Sequence, residues 1–333
     1  MADGRPPRLS AVIACYKDAQ AIPLMYQRLS AVFGALGVEY EIIFVNDGSP
    51  DDSTSVLQEL SAKDEHVLAI EHSRNFGSQN AFLSGMEVAT GDAVVLLDGD
   101  LQDPPEVIPA LYEKWREGNE VVYGRRSKRD MSAMMSLACR VFYRVFRGVA
   151  YVPVPVDAGD FSLMDRRVVD QLLALPETDQ FVRGLRAWVG FKQTGVDYVR
   201  PERAFGRSTH SRLKNLWWAK KAIFSFSSAP IEVLSYTGAI LTLLSFVALV
   251  YELIAAGTVT VGVLVAFFGS LNLLAIGVVG EYLVRTFEEV KRRPKFIRKA
   301  MWHAGTAFSR ASDIERFVGQ RRAAVRATEP RAG

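Results

Sequence analysis

Apolar positions along this chain fall into three kinds of run. Short stretches rich in Val and Ile at Leu9–Cys15, Tyr40–Val45, Val67–Glu71, Ala93–Leu97 and Glu120–Tyr123 predict strands. Between them the spacing turns helical. Ala19–Leu36 sets Ile22, Met25, Leu29, Val32 and Leu36 on one face, and Asp52–Leu60 and Ser78–Ala89 follow. Strand and helix alternate, which predicts an α/β domain with a mostly parallel sheet covered on both faces. The third kind is longer: Val233–Tyr251 and Val261–Gly280 contain no Asp, Glu, Lys or Arg. Each matches the ~20 residues a helix needs to cross a bilayer, so two transmembrane helices are expected.

Charge refines this picture locally rather than globally. The 333 residues carry a formal net charge of only +3, and no nucleic-acid partner is expected. Arg212, Lys214, Lys220 and Lys221 precede the first long run. Lys291, Arg292, Arg293, Lys295, Arg298 and Lys299 follow the second, while Glu252–Thr260 between them has no Lys or Arg. The positive-inside rule then puts both termini in the cytoplasm. Within Arg212–Phe226, Leu213, Leu216, Trp217, Ile223 and Phe224 lie near one helical face beside Lys220 and Lys221. That suits the headgroup level of a membrane; a helix packed on the soluble domain is the alternative. Lys128–Val152 reads as helical and Arg200–Ser211 as a loop. The expected organisation is a soluble α/β domain over 1–210 and an interfacial helix over 211–229. Two spans follow at about 231–254 and 260–284, then a basic tail over 287–333, which after about Ala304 reads as a surface helix or partly disordered. Cys15 and Cys139 offer neither metal nor disulfide spacing.

Candidate chemistry sits where predicted strands end. Val45-Asn46-Asp47-Gly48-Ser49 closes the second strand, and Asp98-Gly99-Asp100-Leu101-Gln102-Asp103-Pro104-Pro105-Glu106 follows the fourth. Ligands of open α/β sheets bind outside the carboxyl ends of the strands. Two carboxylates spaced by one Gly can converge on a hard divalent cation that keeps positions open for phosphate oxygens, with Gln102 as a neutral oxygen donor. A solvated acidic turn is the inert alternative. Asp47 can accept hydrogen bonds from a base or ribose, or act as a turn and cap residue. There is no Gly-x-Gly-x-x-Gly, no Walker loop and no Cys/His cluster, so dinucleotide, P-loop and zinc chemistry lack a motif.

In order, Ala14-Cys15-Tyr16-Lys17-Asp18, Asn46-Asp47-Gly48-Ser49, Ser73-Arg74-Asn75-Phe76-Gly77 and the acidic motif make this chain resemble the family 2 inverting glycosyltransferases of the GT-A (Rossmann-like) fold. Further motifs are Tyr123-Gly124-Arg125-Arg126, Asp157-Ala158-Gly159-Asp160-Phe161, Arg203-x-x-Gly206-x-Ser208, Gly280-Glu281-Tyr282 and Glu289-Val290-Lys291-Arg292-Arg293-Pro294. With these the chain is similar to the bacterial polyprenyl-phosphate glycosyltransferases over roughly residues 8–298. That group is bactoprenol glucosyltransferase-like and related to dolichol-phosphate mannosyltransferase.

The resemblance implies a role for each matching residue. Tyr16 and Asp18 would border the nucleoside pocket and Asp47 would bind the base or ribose. Asp98, Asp100 and Gln102 would hold Mg²⁺ or Mn²⁺. Arg125, Arg203 and Ser208 would meet the acceptor phosphate, and Asp157 and Asp160 would lie near the reacting sugar. The implied partners are a nucleotide-sugar donor, a polyprenyl phosphate acceptor and the lipid bilayer of a bacterial inner membrane. A homo-oligomer, tetrameric by analogy, is also implied. UDP-glucose is the first donor choice and GDP-mannose the alternative, with inversion at the sugar. Relatives commonly carry Pro-x-Tyr-Asn-Glu where this chain has Ala14-Cys15-Tyr16-Lys17-Asp18. A processive polysaccharide synthase fits less well, because Gln180-Phe181-Val182-Arg183 is followed by Gly184 instead of Trp. A membrane-anchored binding or scaffold subunit is the non-enzyme alternative; the intact acidic set stands against it.

Overall fold

The computed structural model describes residues 6–126, 158–177, 181–201 and 261–328, together with Phe205, Ile240, Val247 and Ile254. The chain divides into two compact units. Met1–Ser132, Val154–Thr209 and Pro294–Gly333 form one; Ala133–Pro153 and His210–Arg293 form the other.

In the first unit, β1 (Arg8–Cys15), β2 (Glu39–Asn46), β3 (Val67–His72), β4 (Ala93–Asp98) and β5 (Val121–Arg126) match the five predicted strands. Helices α1 (Ile22–Leu36), α2 (Ser53–Lys63) and α3 (Ser78–Val88) match the helical stretches between them. β1 is buried almost throughout because β2 and β4 pair with it in parallel on either side. Leu9, Ala11, Ile13 and Cys15 share one core cluster with Ile22, Met25, Leu29 and Phe33 of α1. Each fully buried Leu, Ile, Met or Phe among them contributes about 1.5–3 kcal/mol. Pro23 opens α1 and Gly37, at φ 61°, closes it in the left-handed conformation. On the opposite face α3 comes very close: a Cβ at Gly85 would stand 2.2 Å from Val12 Cγ1.

Four further strands complete the sheet: β6 (Ala158–Asp165), β7 (Gln193–Tyr198), β8 (Arg298–His303) and β9 (Thr306–Phe308). The order is β7-β5-β6-β4-β1-β2-β3-β8-β9. The expectation of a mostly parallel sheet holds for β3-β2-β1-β4 and for β5 with β7. It fails elsewhere: β6 runs antiparallel to β4 and β5, β8 to β3, and β9 to β8. The sheet is mixed. Local alternation of strand and helix reveals only parallel crossovers, whereas these antiparallel pairings join residues far apart in sequence.

The end of the chain holds a helix where a surface helix was one of the two expected readings, and it adds strands that the sequence did not foretell. β8 extends the sheet beside β3, and the helix Ala311–Thr328 buries Ile314 and Val318. From that helix Arg321 pairs with Glu41 at the core side of β2 and donates from Nε to the carbonyl of Val88 at 2.6 Å. Segments on both sides of the second unit therefore build one sheet.

Of the second unit, the helix Val261–Lys291 is described, 31 residues long, in agreement with a helical second long run. Among the described residues no helix is long and apolar enough to cross a membrane. The first long run (apart from Ile240 and Val247) lies outside those residues, as do 211–229 and Lys128–Val152.

Candidate active site

Register brings three loops together. Cys15 lies opposite Asn46 and Ala14 opposite Asp98, so the carboxyl ends of β1, β2 and β4 finish at one level. The loops carrying Tyr16–Asp18, Asp47–Ser49 and Gly99–Asp103 leave the sheet side by side, at the edge where ligands bind. Antiparallel β6 brings a fourth contribution. Ser162 pairs with Leu96, so the start of β6 reaches past the end of β4 and carries Asp160 to the level of Asp98.

The turn after β2 is an internal brace. Asn46 Nδ2 donates to Thr54 Oγ1 at 2.9 Å, and its Oδ1 accepts from the Ser49 amide at 3.0 Å. Ser49 Oγ in turn accepts from the Lys17 amide at 3.0 Å, tying this turn to the end of β1. Gly48 has φ +65°, and a Cβ there would stand 2.5 Å from the Arg74 carbonyl carbon, so the position requires glycine. Asp47 is buried. It accepts from the amides of Phe76 at 2.9 Å and Gly77 at 2.7 Å, and His72 Nδ1 lies 2.8 Å away. Both its oxygens thus serve the loop Ser73–Gly77. That is an internal use the sequence left unseen beside the expected base or ribose contact.

The acidic loop packs tightly on β1. A Cβ at Gly99 would meet Cys15 Sγ at 2.9 Å and Asp18 Oδ2 at 3.0 Å. Asp18 Oδ2 also accepts from the Tyr16 amide at 2.9 Å. Lys17 and Leu101, neither of them glycine, adopt φ of 64° and 63°, local strain held in the two loops that frame the cluster. Asp100 is buried and accepts from the Gln102 amide at 3.0 Å; Gln102 Nε2 donates to the Pro201 carbonyl at 3.4 Å. Burial pushes the half-buried Asp98 carboxyl well above the usual carboxylate range, and Asp103, Asp100 and Asp160 push it further. Negative charge therefore converges here, and the Arg200 guanidinium opposes it from 3.8 Å off Asp98 Oδ2.

Asp160 has a different environment. Arg183 donates to it from Nη2 at 3.1 Å and from Nε at 3.4 Å. Burial alone would raise the Asp160 carboxyl, but Arg183 and Arg186 outweigh it and hold the group below its ordinary value. Arg186 is fully buried, donates to the Gly159 carbonyl at 3.3 Å and faces the Tyr123 ring at 5.5 Å. Burial pulls its guanidinium down to about 10, so it stays charged at neutral pH. Asp160 is an anion fixed in direction by Arg183 and stabilised by the charge of Arg186, one helical turn on.

A third cluster links the edge strands. The Tyr198 hydroxyl donates to Asp103 Oδ1 at 2.6 Å, and burial followed by Asp103 pushes the phenol well above its usual range. Arg126 Nε lies 3.5 Å from the same hydroxyl, in space left by Gly159, where a Cβ would meet Arg126 Nη2 at 3.1 Å. Arg125, expected at the acceptor phosphate, instead pairs in exposed fashion with Asp197, its direct neighbour in the β5–β7 register. Asp157, Arg203 and Ser208 lie outside the described residues. Asp103, Arg126, Arg183, Arg186, Tyr198 and Arg200 had no assigned role from sequence. Asp103, Arg126 and Arg183 stood inside quoted motifs; Arg186, Tyr198 and Arg200 had no local signal.

Among the described residues no group of three or more His, Cys, Asp and Glu is arranged as a cation cage. Magnesium-type ions are held by one or two carboxylates and complete their shell with waters and phosphate oxygens. Asp98 and Asp100, with the surplus negative charge around Asp98, fit that donor set.

A mixed α/β sheet of this order, with carboxylates at the ends of its central parallel strands, defines a GT-A-like domain. The chain belongs to glycosyltransferase family 2: the description "Glycosyl transferase family 2" matches residues 10–173. The Bacillus subtilis protein named "Uncharacterized glycosyltransferase YkcC" is 42% identical over 86% of this chain and 92% of its own length. The Escherichia coli "Prophage bactoprenol glucosyl transferase homolog" is 35% identical over 88% of this chain and 98% of its own. Among solved structures, glucosyl-3-phosphoglycerate synthase from Mycobacterium tuberculosis with Mn²⁺ and UDP-glucose is 19% identical, covering 65% of this chain and 76% of its own, at a TM-score of 0.40. That likeness is too remote to transfer any residue's role. The chain is a glycosyltransferase related to the bactoprenol glucosyl transferases.

Proposed function

We propose that this enzyme transfers a sugar, with inversion, from a nucleotide-sugar to a polyprenyl phosphate at the cytoplasmic face of a bacterial inner membrane. The product would be a lipid-linked sugar for cell-envelope glycan modification. One observation carries the reading: carboxylates from the loop after β4 converge with Asp160, itself held ionised by Arg183 and Arg186. The bactoprenol in the names of relatives such as the E. coli homolog supports the lipid acceptor, and UDP-glucose is the donor we favour.

The chemistry fits these groups. A divalent cation held by Asp98 and Asp100 would neutralise charge developing on the departing diphosphate. A phosphate monoester has a second pKa near ~6, so the acceptor is largely dianionic at neutral pH and needs no strong base. Asp160 has the charge and fixed direction to orient sugar hydroxyls. Tyr16 and Asp18, at the end of β1, border the space for the nucleoside. Membrane attachment is supported by the two uncharged runs of the sequence, Val233–Tyr251 and Val261–Gly280, each about the ~20 residues of a span. The basic residues after it favour cytoplasmic termini and a multi-pass chain.

The test is a donor panel. Full-length protein in detergent is incubated with undecaprenyl phosphate, Mg²⁺ and labelled UDP-glucose, other UDP-sugars or GDP-mannose, and lipid-linked product is counted. Product from one donor is expected, with Asp100→Ala lowering it about 100-fold or more. No product from any donor, or full activity in Asp100→Ala, refutes the reading. Carbonate extraction of cell membranes checks attachment, and release into the soluble fraction refutes that part.

A further inference from the structure

Arg200, two residues past β7, sits between two carboxylates. Its Nη2 is 3.8 Å from Asp98 Oδ2 and its Nε is 3.8 Å from Asp103 Oδ1. Both distances exceed a hydrogen bond, so the attraction is through charge. Among the described residues Nε is buried with no hydrogen-bond partner. Buried donors are nearly always paired, so this position is suited to a further acceptor. The surroundings are held independently of Arg200. Tyr198 anchors Asp103 at 2.6 Å, and the carbonyl of the next residue, Pro201, takes Gln102 Nε2 at 3.4 Å. The segment that carries the guanidinium therefore touches the acidic loop directly.

We propose that Arg200 is the resident counter-cation of the acidic loop and makes divalent-cation binding and nucleoside-diphosphate binding mutually dependent. This rests on the reading of Asp98 and Asp100 as cation ligands. A cation arriving at Asp98 meets a guanidinium already paired with the same carboxylate. The two positive groups repel, so the cation alone binds weakly. A diphosphate brings oxygens that a guanidinium can take bidentately, which draws Arg200 off Asp98 and removes the repulsion. Each ligand then strengthens the other, and by linkage the effect is equal in both directions.

The experiment reads binding rather than turnover. Full-length protein in detergent is titrated with Mn²⁺, and free ion is followed by electron paramagnetic resonance, with and without UDP and, separately, GDP. Wild type is compared with Arg200→Gln and Arg200→Lys. Arg200→Gln should bind Mn²⁺ alone about tenfold more tightly, and the enhancement by nucleotide should fall about tenfold. Arg200→Lys keeps the charge and should hold Mn²⁺ alone within about twofold of wild type. Wild-type affinities for Arg200→Gln in both arms overturn the coupling, and so does a Lys variant that behaves like Gln. A wild-type protein that binds neither Mn²⁺ nor nucleotide overturns the cation site itself and the coupling with it, a result distinguishable from the first two.

Discussion

Replacing Arg321 with Ala should destabilise the catalytic unit although the residue lies far along the chain from every functional motif. Glu41 is buried within β2. Its Oε1 accepts from Ser10 Oγ at 2.6 Å and from the Thr90 amide at 2.6 Å. Its Oε2 faces Arg321, with Arg8 Nη2 at 3.5 Å. Arg321 is itself only 12% exposed. Breaking a buried ion pair by removing one partner costs about 3–5 kcal/mol. Arg8 and the remaining hydrogen bonds stay, which places the loss at the lower end, about 3 kcal/mol, and the lost bond to Val88 adds about 1 kcal/mol. Against a total stability of about 5–15 kcal/mol this is large.

Acid should erase the difference. Burial raises the Glu41 carboxyl, but Arg321, Arg8 and the hydrogen bonds outweigh it, so its pKa in the folded protein is below its ordinary value. A group depressed on folding stabilises above its unfolded pKa, about 4.3 for Glu, and loses that stabilisation as pH falls through the folded value. The Arg321→Ala penalty should be full at neutral pH and shrink below about pH 4.3. Urea unfolding in detergent, followed by tryptophan fluorescence, measures it. Combining the change with Glu41→Gln should remove most of the penalty, since the two residues are coupled. A loss under about 1 kcal/mol at neutral pH, or an undiminished loss in the Glu41→Gln background, refutes the ion-pair account.

Two other substitutions probe the site. Asp160→Asn keeps the shape and removes the charge that faces Arg183 and Arg186; product formation should fall about 100-fold with donor affinity nearly unchanged. Steady-state kinetics would show this as a drop in kcat, and a change confined to KM contradicts the orienting role. Gly48→Ala combines a left-handed backbone with the 2.5 Å approach to Arg74, so it should cost about 2–4 kcal/mol in urea unfolding. A variant within about 0.5 kcal/mol of wild type contradicts the close packing of this turn against the Ser73–Gly77 loop.

Several features were legible in the residues alone because they are local. Apolar runs gave the first five strands, and helical spacing gave α1 to α3. Turn residues at strand ends marked where Asp47, Asp98 and Asp100 would lie. The parallel order of β1, β2 and β4 follows from the helices between them, so their loops had to meet at one edge. Pairing between distant segments alone decided the rest. Antiparallel β6 carries Asp160 to Asp98, β7 beside β5 carries Tyr198 and Arg200 to Asp103, and β8 with the last helix locks Glu41. Side-chain periodicity has a range of one turn or one pleat and does not specify a partner across a hundred residues. Which strand completes an edge is settled by burial and backbone pairing over the whole sheet. For that reason sequence foretold the acidic loop, while the charges that hold and balance it emerged only from the tertiary structure.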